Sequence, residues 1–107
     1  MSQPQKSEVL NLKQLLTIQS GAVVSKTLVN EKSGTITLFA FDQNEGLSEH
    51  EAPFDASVYV LEGNLEITIS GNPYSLQAED MIIMPANQPH ALVAKSPVKM
   101  LLVMIRS

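Results

Sequence analysis

The sequence predicts an all-β sandwich or barrel preceded by one short helix, and three observations carry that expectation. Turn signals recur about every 8 to 12 residues from Gly21 onward. Between them lie short runs that either alternate apolar with polar residues or are rich in β-branched and aromatic ones. Helical apolar spacing occurs in a single segment near the start.

In chain order, residues 1–6 are polar and predict a frayed end. Val9, Leu12, Leu15 and Leu16 then have helical spacing, with Asn11 as N-cap, Gln14 three residues later and Gly21 as the stop. Residues 1–20 are therefore read as an N-terminal segment with a short helix, and 21–107 as the β domain. Six strands follow: Ala22 to Val29, Thr35 to Phe41, Ser57 to Leu61, Leu65 to Ile69, Met81 to Met84 and Lys99 to Ile105. Ser70-Gly71-Asn72-Pro73 reads as a turn. Met81 to Met84 and Lys99 to Ile105 are apolar on both parities, which predicts cover on both faces. A small barrel covers only its inner face. The outer layer must come from the N-terminal segment around Leu10 to Leu16 or from a second subunit, and a homodimer is the expectation.

Composition narrows the function classes. A chain of 107 residues with 44% hydrophobic content and a net charge of −4 suits one folded domain. Seven scattered Lys and Arg argue against nucleic acid as a partner. With no Cys there is neither a disulfide nor a thiolate site. No apolar run is long enough to span a membrane and no signal peptide is visible, so a cytoplasmic protein without a membrane partner is expected. Phosphate loops and nucleophile elbows are also lacking.

Two segments carry the chemistry. One is GLSEHEAPFDASVYVLEG, from Gly46 to Gly63; the other is LQAEDMIIMPANQPHA, from Leu76 to Ala91. Together they resemble the two motifs of small single-domain cupins, with agreement at His50, Gly63, Pro85 and His90, and the resemblance runs from Phe39 to Ile105. It implies a cupin double-stranded β-helix, a jelly-roll type barrel, dimeric, with a cavity between two sheets. In metal-binding members three His and one Glu hold a divalent ion there. The resemblance places His50 and His90 on two of those positions; the other two fall on Ala52 and Ala56. Asn44, Glu79 and Asn87 stand where the family pattern has glycine, and the final Asn position is Ala94.

The chain has only two His, both at ligand positions, so both rings are expected to face the cavity and approach each other. Three readings stay open. The pair is a metal-free polar anchor; or it holds zinc, nickel, iron or manganese with water or a recruited carboxylate such as Asp55; or one His acts as acid or base. Glu49 and Glu51 are expected to face outward by parity, as is Tyr59. Ala52, Ala56, Val58, Val60 and Met84 are the candidate cavity wall, with Phe54 as a rim residue able to act as a lid. Met81, Met100 and Met104 either join that wall or fill the core or an interface. Arg106 is the only Arg, so no fixed carboxylate or phosphate clamp is visible. The reading that follows is a small-molecule-binding cupin with no certain cofactor and an unidentified ligand. The alternative is a metal-dependent dioxygenase or isomerase type enzyme with a reduced, His-only site.

Overall fold

Alternating side-chain direction builds two antiparallel sheets packed face to face. A computed structural model describes residues 6–106. In chain order its elements are α1 (Leu12–Leu15), β1 (Val23–Glu31), β2 (Gly34–Phe41), β3 (Gly46–His50), β4 (Asp55–Glu62), β5 (Leu65–Ile69), β6 (Asn72–Leu76), β7 (Met81–Met84), β8 (His90–Ala94) and β9 (Val98–Ile105). One sheet runs β1-β2-β9-β4-β7 and the other β3-β8-β5-β6.

The core is the space between the sheets. Phe41, Val58, Val60, Ile67, Val98 and Met100 are all 0% exposed. Registers such as Thr35↔Met104, Met104↔Ala56 and Ala56↔Met84 align inward-facing residues across four strands. Each fully buried aliphatic or aromatic side chain stabilises the fold by roughly 1.5–3 kcal/mol relative to exposure.

Several local expectations are corrected. The helix is a single turn ending at Leu15, well before Gly21, and the Asn11 side chain makes no cap; only its carbonyl accepts, from the Gln14 N–H at 3.0 Å. Gly21 instead sits at φ 66 in the turn before β1, where its N–H donates to the Asp42 carboxylate at 2.8 Å. That bond and a second from the Gln43 N–H hold the Asp42 pKa below its ordinary value. Pro73 lies within β6 rather than in a turn. The hairpin is closed by Ser70 and Gly71 alone, at φ 49 and 83, the two positive values a tight two-residue turn needs. Proline is tolerated there because β6 is an edge strand.

Cover of the outer face is partial. Lys99 Nζ donates to the Lys13 carbonyl, which lays α1 against the outer face beside Ala40, the register partner of Lys99. Leu38 and Ala40 on that face are 0% exposed. Farther along, Met81 is 54% and Ile83 57% exposed, so the expected two-sided cover of the Met81–Met84 run is not met within one chain. The physical reason is position: β7 is the edge strand farthest from β1, away from the region α1 reaches. No helix among the described residues is long and apolar enough to cross a membrane.

Candidate functional site

His50 ends β3 and His90 opens β8, and the two residues are register partners in one antiparallel ladder. A bulge puts them there. Leu47 pairs with Leu92, yet His50 pairs with His90, so three steps on β3 oppose two on β8. Without the extra residue, period-two alternation would turn His50 away from the face that Leu47 occupies. With it, Leu47, His50, His90 and Leu92 all line one cavity.

The rings meet edge to face, with centroids 4.4 Å apart at 73° and the two Nε2 atoms at 3.1 Å. His90 is buried at 4% exposure, whereas His50 is exposed at the mouth. The expectation that both rings sit inside is thus met by direction and not by depth. Each Nδ1 contacts the carbonyl two residues upstream: Ser48 O at 2.7 Å from His50, and Gln88 O at 3.2 Å from His90. A carbonyl only accepts, so a ring bonded to it carries its hydrogen on Nδ1, and two neutral rings held this way turn bare Nε2 atoms toward each other, a contact that calls for a hydrogen from a shared proton or a bound donor. Two acceptors therefore converge. Burial first, then the neighbouring His50 charge, push the His90 pKa below its ordinary 6.5, against a smaller raising effect from the Gln88 carbonyl.

Behind the pair lies a cavity of about 490 Å³. Ala52, Phe54, Ala56 and Met84 are among its lining residues. Val58 and Val60 are not; they face inward deeper in the sheet and belong to the packed core. Met100 and Met104 contribute to the wall, whereas Met81 lies on the outer face. Phe39, Leu47, Leu92 and Leu102 complete the apolar wall. Phe39 is signalled by its shared parity with Phe41 and Leu102 by its shared parity with Met100; Leu47 and Leu92 lie on strands without a clear pattern.

Two hydrogen bonds stitch the motif segments over the mouth. Asn87 N–H donates to the Ala52 carbonyl at 2.8 Å, and Ala86 N–H to the Asp55 carboxylate at 2.9 Å. Asn44, Glu79 and Asn87 adopt φ of 72, 76 and 64, the left-handed conformation that the glycine pattern of the resemblance leads one to expect at these positions. Glu51 follows the end of β3 and lines the cavity, which corrects its expected outward direction: past His50 there is no strand to impose parity. Phe54 is held from outside by the Arg106 guanidinium, 5.4 Å from its ring centroid.

The donor set does not make the four-ligand cage that the resemblance implies. Ala52 and Ala56 offer methyl groups, and the Asp55 carboxylate is engaged by Ala86. Among the described residues no cluster of three or more His, Cys, Asp or Glu side chains is placed to hold an ion. Protein metal centres of this kind draw on three or four side chains.

Fold and site together define a cupin, and the sequence comparison agrees: residues 37–105 match the cupin domain family, to which the chain belongs. A conserved protein of unknown function from Streptococcus pyogenes is 36% identical and superposes with a TM-score of 0.92, covering 100% of this chain and 96% of its own. A cupin 2 conserved barrel domain protein from Leptotrichia buccalis is 35% identical with a TM-score of 0.88, covering 91% of this chain and 47% of that one. Polyketide synthase CurC from Streptomyces cyaneus is 30% identical over 69 residues, covering 64% of this chain; the matched part spans 45% of that curated relative's length.

Proposed function

We propose that this cupin binds a small organic molecule, with His50 and His90 as the polar anchor and the cavity wall as the seat for an apolar body. The observation that carries the reading is the convergence of two imidazole Nε2 atoms, 3.1 Å apart, on a cavity of about 490 Å³. That volume falls within the range of small-molecule sites, which combine an apolar wall with few polar groups. The proposal includes a homodimer formed through the outer face, supported by the exposed Tyr59, Met81, Ile83 and Ile105.

A second reading, a divalent ion at the same pair, is favoured by one feature. Two cis ligands about 2.1 Å from an ion would stand roughly 3 Å apart, near the observed 3.1 Å. The missing third and fourth protein donors weigh against it, and no reaction step is assigned to an ion. Elemental analysis of protein purified without chelators or metal-affinity resin separates the two. The binding reading expects far less than stoichiometric metal. Stoichiometric zinc, nickel, iron or manganese, lost in His50→Ala, would overturn it.

A further inference from the structure

We infer that the ligand carries a primary amine, with its ammonium group seated on the paired Nε2 atoms of His50 and His90 and an apolar body filling the cavity. The inference rests on the small-molecule reading above and names the chemical class.

The head group follows from hydrogen counting. Both Nδ1 atoms are spent on carbonyls at 2.7 and 3.2 Å, so both Nε2 atoms can only accept while the rings are neutral. A carboxylate, phosphate or ketone brings further lone pairs to a site that already has two. A hydroxyl has one hydrogen and satisfies one ring. An ammonium has three, and serving each ring with its own N–H requires the Nε2 atoms to open from 3.1 Å to roughly 4.5 Å, a displacement that falls on the exposed His50. Leaving the buried His90 acceptor unpaired would cost the desolvation that a bound donor repays.

Charge points the same way. Apart from the two imidazoles, Glu51 is the one ionisable side chain among the described lining residues. It sits at the mouth beside His50, where a cation gains and an anion is repelled. No Lys or Arg is among those residues, and Arg106 is occupied by the Phe54 ring and the Glu31 carbonyl, 3.3 Å from Nη1. The net charge of −4 adds a favourable long-range field for a cation.

The body follows from the wall. Met84, Met100 and Met104 are flexible and polarisable, and Phe39 and Phe54 offer ring faces. An arylalkyl amine matches that surface.

The test uses one body with three heads: phenethylamine, 2-phenylethanol and phenylacetate, titrated into the full chain by calorimetry near neutral pH, with ligand-observed NMR for weak binding. Phenethylamine is expected to bind at least about tenfold more tightly than phenylacetate. His50→Leu, at an exposed position that leaves the core intact, should abolish that preference, and Glu51→Gln should reduce it. Phenylacetate binding as tightly as the amine, or equal binding by all three, overturns the amine assignment and leaves the pocket reading standing. Absence of saturable binding by all three at millimolar concentration removes the pocket reading as well.

Discussion

His50 Nε2 and His90 Nε2 stand 3.1 Å apart while each ring's Nδ1 is held by a backbone carbonyl two residues upstream. Two paired strands with a single bulge thus bring two Nε2 atoms to one point. The arrangement is set by backbone geometry before any ligand arrives, and disturbing that geometry has measurable consequences.

Gly46→Ala is expected to damage both fold and site. A Cβ at this position would lie 1.9 Å from the Leu92 carbonyl oxygen, so β3 and β8 would have to part. Since β3 carries His50 and β8 carries His90, separation of the strands breaks the imidazole pair. Denaturant unfolding should report a loss above about 1 kcal/mol, and ligand binding should fall with it. Unchanged stability would mean that the close approach is not needed.

Asn87 gives a graded comparison. At φ 64 it occupies the left-handed region while its N–H holds the Ala52 carbonyl. Asn87→Gly should be close to neutral, and Asn87→Ala should cost about 1 kcal/mol. Thermal unfolding of the two variants side by side gives the difference, and equal midpoints would contradict it.

The His90 pKa sets a pH dependence with a definite sign. Its folded value lies below 6.5, so the unfolded chain takes up a proton more readily than the folded one. The contribution to stability is therefore complete above about pH 6.5 and is lost as pH falls through the folded value. His50 and Glu51, the other ionisable groups lining the cavity, are present in both proteins when wild type is compared with His90→Gln. Urea midpoints between neutral and mildly acidic pH should fall less in the variant. A steeper fall in the variant would reverse the assignment.

The proposed dimer is tested by charge. Met81→Lys and Ile83→Lys replace side chains that are 54% and 57% exposed in one chain, so the monomer should lose little stability. Sedimentation or light scattering should give a dimer for wild type and a monomer for the double variant. A monomeric wild type removes the proposal.

Much of the fold is legible in the sequence because strand alternation and turn chemistry are local. Leu65–Ile69 and Met81–Met84 begin and end where the pattern places them, and β1, β2, β4 and β9 deviate only at their ends. Three strands are not legible. Gly46–His50 has no β-branched residue and opens on a glycine that must admit the Leu92 carbonyl; Asn72–Leu76 contains Pro73, usable only at an edge; and His90–Ala94 follows directly on Pro89. The meeting of the two His follows from the motif resemblance. Their relative depth does not, because the β3 bulge is a property of pairing and leaves no mark in composition. Glu51 is mislaid for a different reason, since parity ends where β3 ends. Val58 and Val60 have the right parity for the cavity but lie too deep in the core to line it.

The tautomers of the two rings can be read directly from the nitrogen chemical shifts of the histidines in a long-range proton–nitrogen correlation spectrum, recorded on the unliganded protein slightly above neutral pH. Protonated Nδ1 and bare Nε2 on both His50 and His90, the less common form of the neutral ring, is the result predicted here. A hydrogen on Nε2 of either ring at that pH would contradict the paired-acceptor site and the ligand chemistry built on it.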